Sequence, residues 1–515
     1  MRRQEPQEAQ ETGSAGPAAQ FMAVTEAAEE LGVTPATVRR WLREGRIEGR
    51  KVGKQWRVSR SGLGHVIAPQ EGASAPAPRE EPLADAQGAQ TALDDLLASI
   101  ELDTDRAKAL AAGIASEAHS RVRESEAEAC GLLAQLLVAS VQSRASEVHI
   151  EPCADCLRVR MRIDGALLEA AQLPRQFGRP LAEEALRWCG VSRAPDRLPQ
   201  DGRFAFDFEA RKTDVRLSTM PLTHGTAVTL RVLDPRALLP PIDSHGLEPD
   251  QLKRFRQTFH RPNGLIILTG PTGCGKTTTL YAALSELNEP SRKVMMAEDP
   301  VEYDLDGIDQ AAIHPEIGFD FRRATIAMLR QGPDVIVIGE VRDGEVGRIA
   351  CKAALTGHLV FTTMHANDAP SVPVQLVKMG VEPSLVASAL QCALAQRLVR
   401  LVCPDCKAER RPEADELDAL GIEAADRRRA FYHGTGCPRC HMTGYRGRTG
   451  VYQLLDVDGG VREAIVKGKT DEIRKAGRAP GFCRSFREVG LQKLFRGETT
   501  VQEVLRMLAV ASASS

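Results

Sequence analysis

The sequence predicts a multidomain α/β protein, and three observations support that fold class. The chain has 515 residues, which is too long for a single hydrophobic core. Between residues 147 and 233 apolar and polar residues alternate, as in the half-buried strands of an α+β domain. After residue 264 four short apolar runs are separated by segments long enough for helices, which is typical of a parallel sheet. An α+β domain is therefore expected before a parallel α/β domain.

The most informative motif is a phosphate-binding loop between an apolar run at 265–268 and a segment of helical periodicity at 277–287. Its backbone N–H groups can point at phosphate oxygens at the positive end of the helix, while Lys276 reaches the outer phosphates. Thr277 carries the hydroxyl expected in the Mg²⁺ shell. The predicted nucleotide-binding residues are Gly270, Pro271, Thr272, Gly273, Cys274, Gly275, Lys276, Thr277 and Thr278. ATP or GTP binding follows.

Polar groups follow the other three apolar runs, at 294–296, 335–338 and 359–361. They are Glu298 with Asp299, then Glu340, then His365. Ligands of an open parallel sheet bind beyond the carboxyl ends of its strands, so these groups are expected to converge on the phosphate loop. That convergence predicts catalysis rather than binding alone.

Phosphoryl transfer needs a metal-bound phosphate chain, an oriented water and positive charge for the transition state. Glu340 can orient or deprotonate the water or hold the metal, and Glu298, Asp299 and Glu302 form a second acidic cluster. The roles of general base and metal ligand are open among these carboxylates. His358 and His365 bracket the fourth run, and either is a candidate for sensing the outer phosphate; a structural histidine is the alternative for each.

With these residues in view, the chain resembles the type II secretion and type IV pilus assembly ATPases. Residues 297–303 (AEDPVEY) are similar to that family's aspartate box, 339–343 (GEVRD) to its Walker B end, and 356–368 (TGHLVFTTMHAND) to its histidine box. The resemblance covers roughly residues 126 to 515. It implies a RecA-like P-loop core that hydrolyses ATP with Mg²⁺, in a homo-hexamer.

The same resemblance implies partners and a location. The partners would be an inner-membrane platform protein and the cytoplasmic domain of a membrane recruitment protein. The family's usual N-terminal docking domain is not recognisable, which leaves the route of recruitment open. A polar N-terminus at 1–10 and the absence of an apolar run of about 18 residues predict a cytoplasmic protein, attached to the inner membrane through partners. Both a secretion system and a pilus system fit the motifs.

Upstream, residues 145–152, 162–165 and 197–203 look like the α+β, PAS-like domain that precedes the core in this family. Within it, Arg216 and Arg231 fall where the family places arginines that reach a nucleotide. Guanidinium charge suits the spread negative charge of the phosphoryl transition state. The resemblance implies that these arginines act across a ring of subunits, whereas partners in surface salt bridges are the alternative.

Twelve cysteines include two CxxC pairs whose spacing suits a tetrahedral zinc site. The predicted ligands are Cys403, Cys406, Cys437 and Cys440. Disulfides are the competing explanation, but no export signal accompanies them. Because all four positions are filled by protein, the role of the zinc should be structural. Cys153 and Cys156 form a further CxxC without a matching pair, and they are expected to flank a turn.

The segment 21–66 has nine Lys or Arg against five acidic residues, in a chain whose net charge is -2. Two short helices at 25–31 and 34–42 and a hairpin wing at 47–58 are predicted. The segment resembles the MerR and excisionase-type helix-turn-helix, whose second helix enters the DNA major groove. Contacts with DNA would involve Arg39, Arg40, Arg43 and Lys51. Docking to a protein is the alternative.

Composition shifts divide the chain into eight segments. They are a disordered tail at 1–20, the helix-turn-helix at 21–66, a linker at 67–90, a helical connector at 91–125, the α+β domain at 126–240, the P-loop core at 241–400, the tetracysteine insert at 401–445 and a helical C-terminal domain at 446–515. Two functions fit this organisation. One is a motor ATPase for secretion or pilus assembly, and the other is an ATPase that acts on DNA or transcription.

Overall fold

The structure is a computed structural model, and its chain divides into two compact units, Met1–Ala84 and Asp85–Ser515. It describes residues 21–30, 38, 42, 49–52, 55–59, 124–191, 198–208, 211–233, 240–479, 481 and 483–512. The predicted tail, the linker and all but the last two residues of the connector lie outside these ranges. None of the helices within the described residues combines the length and the apolar character that a membrane crossing requires.

The N-terminal unit contains a small antiparallel sheet and helical residues. Its elements are β1 (Phe21–Ala23), α1 (Val24–Glu30), β2 (Gly49–Val52) and β3 (Gln55–Ser59), with strand order β1-β3-β2. The predicted hairpin is confirmed as β2 and β3, and β1 adds a strand that the sequence did not predict. Val38 and Leu42 are helical and buried, four residues apart as on one helix face. Arg39, Arg40, Arg43 and the side chain of Lys51 lie outside the described part.

The α+β domain is a six-stranded antiparallel sheet with helices on one face. Its elements are α2 (Glu124–Gln142), β4 (Ala145–Pro152), β5 (Cys156–Ile163), β6 (Ala166–Pro174), α3 (Gly178–Trp188), β7 (Gln200–Phe208), β8 (Arg211–Leu222) and β9 (Gly225–Leu233), in the order β6-β5-β4-β9-β8-β7. Val148, Ile150 and Val159 are fully buried in the same core as Leu133 of α2 and Leu181 of α3. The predicted alternation is confirmed, because the intervening residues of β4 and β5 face away from that core.

The core domain is built on a seven-stranded sheet with helices on both faces. Its elements up to residue 389 are α4 (Pro249–Phe259), β10 (Gly264–Thr269), α5 (Lys276–Leu287), β11 (Val294–Glu298), β12 (Asp309–Ala312), α6 (Phe321–Met328), β13 (Val335–Ile338), α7 (Gly344–Leu355), β14 (Leu359–Met364), α8 (Ser371–Lys378) and α9 (Pro383–Ala389). Every residue of β10, β13 and β14 is buried, as expected for parallel strands covered on both faces. The four predicted apolar runs are confirmed as β10, β11, β13 and β14.

Two long strands complete this sheet and cross the predicted domain boundaries. The remaining elements are β15 (Leu390–Val402), β16 (Lys407–Arg410), α10 (Ala414–Ala419), β17 (Phe431–Gly434), β18 (Tyr445–Asp456), α11 (Gly459–Lys467), α12 (Thr470–Arg478), α13 (Phe486–Phe495) and α14 (Val501–Ser512). The sheet order is β12-β11-β13-β14-β10-β15-β18, and only β18 runs antiparallel to its neighbour. The C-terminal segment 446–515 is therefore not wholly helical, because its buried run Val451–Asp456 ends the strand β18.

Candidate active site and cysteine cluster

The phosphate-binding loop joins β10 to α5, and its glycines have backbone conformations that other residues rarely adopt. Gly270, Gly273 and Gly275 have φ angles of 147°, 73° and 89°. A Cβ atom on Gly270 would lie 2.6 Å from the carbonyl oxygen of Gln396. The tight turn therefore requires glycine, and it ends where α5 begins at Lys276. The first N–H groups of α5 are left for an anion at this end of the helix.

Lys276 lies over the loop that precedes it. Its Nζ donates to the carbonyl oxygens of Gly270 at 2.8 Å and Pro271 at 3.1 Å. Burial lowers the pKa of Lys276 below its ordinary value, while Cys274 and then Glu340 act in the opposite direction. Lys276 is therefore close enough to Glu340 for their charges to interact, as the sequence predicted for a single site.

Glu340 follows β13 and contacts groups from the neighbouring strands. Its carboxylate lies 3.3 Å from Nε2 of His365, which follows β14, and accepts a hydrogen bond from Nε of Arg342 at 2.9 Å. Arg342 also lies 3.3 Å from Asp299, beyond the end of β11. The carboxyl ends of three adjacent strands therefore bring Asp299, Glu340 and His365 together, for the geometric reason given above.

Glu298 ends β11, and its carboxylate is already held by neutral donors. Tyr281 Oη donates to it at 2.5 Å and Gln310 Nε2 at 2.8 Å, and the residue is only 5% exposed. Burial raises the pKa of Glu298, and these two hydrogen bonds act against that rise. Because Tyr281 belongs to α5 and Gln310 to β12, Glu298 links the helix of the phosphate loop to the acidic segment at 299–302.

The two predicted arginines belong to one row of charged residues across the antiparallel sheet. Arg216 on β8 lies opposite Arg231 on β9, Arg231 lies opposite Glu147 on β4, and the row continues to Arg203 and Arg162 at its two ends. Glu147 accepts from Arg162 at 2.7 Å and from Arg231 at 3.3 Å. Like charges directly opposite each other destabilise a sheet. This row therefore favours an anionic ligand.

Arg216 and Arg231 have different surroundings. Arg216 donates to the carbonyl oxygen of Val301 at 2.8 Å and lies 3.1 Å from Glu302, so in this structure it holds the acidic segment. The side chain of Arg231 is 55% exposed and, together with Glu147, lines the same cleft as the phosphate loop. The guanidinium with the freer access to a ligand is that of Arg231.

One cleft of about 1780 Å³ joins these groups. It is lined by the phosphate loop through Thr277 and Thr278, by Glu298, Asp299, Glu302, Glu340 and His365, and by Arg231. His358 is not among the lining residues, because it precedes β14 and lies at the opposite end of a six-residue strand. Its Nδ1 is 3.0 Å from the carbonyl oxygen of Ala353. Of the two bracketing histidines, only His365 reaches the cleft.

The cleft suits a nucleotide with Mg²⁺. The hydroxyl of Thr277 and the carboxylates of Asp299, Glu302 and Glu340 are hard oxygen donors of the kind that Mg²⁺ prefers. Lys276 and the loop N–H groups supply positive charge beside them. The residues present therefore fit the metal and the triphosphate.

The four cysteines predicted to bind zinc form one cluster. The sulfur atoms of Cys403, Cys406, Cys437 and Cys440 all lie within 4.8 Å of one another. Cys403 and Cys437 are 3.9 Å apart, as are Cys406 and Cys440. Four thiolates around zinc at about 2.3 Å would be about 3.8 Å apart, so these distances fit the metal.

Backbone N–H groups favour the thiolate of Cys440, whereas burial raises the pKa of Cys403 and Cys406. Sγ of Cys440 accepts from the N–H groups of Cys437 at 3.2 Å and Gly444 at 3.3 Å. Burial raises the pKa of Cys440, but these N–H groups outweigh it and bring the value to about 7. Cys153 and Cys156, by contrast, flank the turn between β4 and β5, as expected.

A family model described as type II/IV secretion system protein matches residues 123–506. The chain belongs to this family. It is 39% identical over 416 residues to the type II secretion system ATPase E of Vibrio cholerae, covering 80% of this chain and 82% of that one. With its complete phosphate-binding loop, a member of this family is an ATP hydrolase. A second model, described as a helix-turn-helix domain, matches residues 21–68.

A further relative agrees with this assignment, and two solved structures have a similar fold. The type IV pilus assembly ATPase PilB of Thermus thermophilus is 41% identical over 391 residues, which are 76% of this chain but only 44% of that protein. The ATPase DotB of Legionella pneumophila has a similar fold, with a TM-score of 0.56 at 20% identity over 73% of this chain and 95% of that one. The structure of the pilus retraction motor PilT with bound ADP has a TM-score of 0.51 at 22% identity, over 75% of this chain and 97% of that one.

Sequence reasoning missed the partners that hold these residues. Tyr281 and Gln310 were not predicted, although Tyr281 lies on the helix of the phosphate loop. Arg162 and Arg203 were not connected with Arg216 and Arg231. The alternation within each strand is visible in the sequence. The row of four arginines, however, depends on the register between paired strands, which cannot be read from the sequence of any one strand.

Proposed function

We propose that this ATPase is a ring-shaped motor, a homo-hexamer, that powers assembly of a type II secretion pseudopilus or a type IV pilus. It would act at the cytoplasmic face of the inner membrane on a platform protein, with a membrane recruitment protein holding it there. The observation that carries the proposal is the convergence of the phosphate loop, Glu340 and His365 on one cleft. The similarity to type II secretion ATPase E and to PilB supports the biological role.

In the proposed reaction Glu340 orients and deprotonates the attacking water. It is the strand-end carboxylate beside His365, and Arg342 fixes it from the other side. Lys276 and the loop N–H groups would bind the outer phosphates, while Thr277 and Asp299 would hold Mg²⁺, which neutralises charge on the phosphate chain when bound. His365 would report the outer phosphate to Glu340. Glu298 and Glu302 would position the acidic segment.

Arg231 would complete the site of a neighbouring subunit. Its guanidinium supports this role, because it contacts Glu147 but stays largely exposed, and positive charge that a ligand can reach suits a transferring phosphoryl group. Arg216 would join it once its contact with Glu302 opens. The prediction that both act in a ring requires residues of two subunits at each site.

A mixing experiment tests the ring directly. Arg231→Ala and Lys276→Ala subunits are each expected to be inactive alone. Mixed rings should recover part of the wild-type ATPase rate, because some interfaces then combine an intact Lys276 with an intact Arg231. Recovery should follow the mixing ratio and be absent when both substitutions are in the same chain. Mixed rings as inactive as either parent would reject action between subunits.

The cysteine cluster is proposed to hold one structural Zn²⁺. The sulfur spacing and the pKa of about 7 at Cys440 support it. Metal analysis of the protein should give one zinc per chain, and Cys403→Ser should lose it together with thermal stability. Cys153→Ser, at the unrelated CxxC, is the control and should keep the zinc. A fully metal-free protein of unchanged stability would contradict the assignment.

A second candidate activity is DNA contact by the N-terminal unit. The helix-turn-helix model match at 21–68 and the local excess of basic residues favour it. Binding to random duplex should weaken steeply as salt rises, because phosphate contacts release counterions. Deletion of residues 1–88 should abolish that binding but keep ATP hydrolysis. Binding to random duplex that does not weaken as salt rises would argue against an interaction led by phosphate contacts.

A further inference from the structure

Arg397 on β15 is a buried cation that forms no ion pair with the described residues, although Asp368 is near enough for its charge to act on the guanidinium. It is 5% exposed, and its guanidinium donates only to two backbone carbonyl oxygens, those of Gln396 at 3.0 Å and Asn367 at 2.8 Å. Its Nε has no hydrogen-bond partner, and no ion pair of Arg397 occurs within the described ranges. Burying an unpaired charge is costly. A residue of this kind needs a reason beyond packing.

On one side, Arg397 lies against the phosphate loop. A Cβ atom on Gly270 would lie 3.2 Å from its Nη1, so the guanidinium touches the start of the loop. The preceding residue, Gln396, donates from Nε2 to the carbonyl oxygen of Cys274 at 2.8 Å. Two consecutive residues of β15 therefore support the loop, and both line the nucleotide cleft.

On its second side Arg397 holds the loop that carries His365. Asn367, whose carbonyl oxygen accepts from Nη2, is two residues after His365. The hydroxyl of Thr269 accepts from the N–H of Ala366 at 2.7 Å, and thus fixes the same loop from the end of β10. The planar guanidinium also stacks on Phe486 of α13, with 4.9 Å between its carbon and the ring centroid. The guanidinium therefore bonds the His365 loop directly, lies against Gly270 of the phosphate loop, and is bonded to Gln396, which in turn holds that loop at Cys274.

We propose that Arg397 is a positioning residue that couples the phosphate-binding loop to the His365 loop. Occupation of the first loop by a triphosphate then sets the place of His365 beside Glu340. This inference rests on the proposed role of His365. A lysine cannot replace the guanidinium, because one ammonium lacks both the two separate nitrogens that reach Gln396 and Asn367 and the planar face that stacks on Phe486.

The test is a pair of substitutions in the full-length ATPase. Arg397→Lys is expected to reduce kcat about 10- to 100-fold, since a misplacement of about 1 Å can cost a factor of about 100. Affinity for a non-hydrolysable ATP analogue should change less than about threefold, because the loop N–H groups and Lys276 remain. In a His365→Ala background the same substitution should cost less than about threefold in kcat, since its effect passes through His365.

Arg254→Lys is the matched control. Arg254 also has an unpartnered Nε, but it pairs with Asp456 and does not line the cleft. The Arg254→Lys substitution should change kcat less than about twofold, both in the wild-type protein and in the His365→Ala variant. Thermal unfolding checks the fold of each variant, and Arg397→Gln replaces the lysine variant if that does not fold.

Two results would overturn the role of Arg397. One is an equal loss of kcat with and without His365, and the other is a loss of analogue affinity parallel to the loss of kcat. A His365→Ala variant with wild-type kcat would instead overturn the proposed role of His365, and this inference with it. The single variant of His365 therefore separates the two failures.

Discussion

The two large sheets of this ATPase present their functional side chains in opposite ways. In the parallel sheet, strands such as β10, β13 and β14 are buried along their whole length, and the polar residues that line the cleft follow their ends. In the antiparallel sheet one face is buried, and charged residues project from the middle of the other. Position along a strand decides function in the first sheet, and register between strands decides it in the second.

This difference separates two kinds of catalytic contribution. Glu340 and His365 are fixed at adjacent strand ends and touch each other within one chain. Arg231 and Arg216 lie directly opposite each other, with like charges that need a ligand or a carboxylate to balance them. Removal of an edge group should therefore damage chemistry itself, whereas removal of a face group should damage charge balance.

The largest expected effect is at the parallel edge. Glu340→Gln should reduce kcat by a factor of about 100 or more, because the general base is lost while the shape is kept. Affinity for an ATP analogue should stay within about threefold. ATP hydrolysis by the purified protein measures both.

Glu345→Gln is the control for that substitution, since Glu345 lies on α7, is 55% exposed and pairs only with Arg322. Its kcat should be unchanged. Equal losses in the two variants would show that charge near β13, rather than the strand-end carboxylate, is what matters.

The second effect is on the antiparallel face. Arg231→Ala should reduce kcat about 100- to 1000-fold, as for removal of one transition-state donor, which leaves almost no activity. Binding of the analogue should persist, because the residue belongs to the other sheet. Arg158→Ala, on the same face but paired with Glu151 away from the cleft, should be close to wild type. If both variants lose the same amount of activity, the charged face affects activity through the stability of the sheet and not through the position of Arg231.

A third test removes the carboxylate that balances the row. Hydrogen bonds from Arg162 and His149 outweigh burial and hold the pKa of Glu147 below its ordinary value of 4.5. A lowered pKa in the folded state stabilises the protein above about pH 4.5, and that stability is lost as the pH falls through the lowered value. Glu147→Gln should lower the free energy of unfolding by about 1–3 kcal/mol at pH 7. The variant should also show a weaker loss of stability in acid, measured by denaturant titration at pH 4 and 7.

Glu169→Gln is the comparison for that titration, because Glu169 is exposed on β6, accepts from Gln172 and, among the described residues, forms no ion pair with Arg160, which lies opposite it. Its unfolding curve should follow the wild type at both pH values. A Glu147 variant with an unchanged acid slope would mean that the arginine row is balanced by something other than this carboxylate.

The sequence predicted the parallel edge better than the antiparallel face, for a physical reason. The loop at 270–277, Glu340 and His365 each follow an apolar run, so their convergence needs only the rule that parallel strands end together. His358 shows the limit of that rule, because it precedes β14, and the two ends of this six-residue strand are about 17 Å apart. The place of Arg216 beside Glu302, and the extension of the sheet by β18, depend on contacts between distant segments, which local periodicity does not encode.

The smallest expected effect is at Glu298, whose pKa is shifted in the opposite direction from that of Glu147. Burial raises the pKa of Glu298, whereas the arginine row lowers that of Glu147. A raised folded pKa stabilises the protein below about pH 4.5, and this contribution is lost as the pH rises through the raised value. Glu298→Gln should therefore remove a stability loss on going from pH 4 to pH 8. Its cost at pH 7 should be about 1 kcal/mol, since a neutral amide keeps the hydrogen bond from Tyr281 and gives up one other. The difference in unfolding free energy between variant and wild type should change with pH in opposite directions for Glu147→Gln and Glu298→Gln. Changes in the same direction would contradict the opposite pKa shifts of the two glutamates.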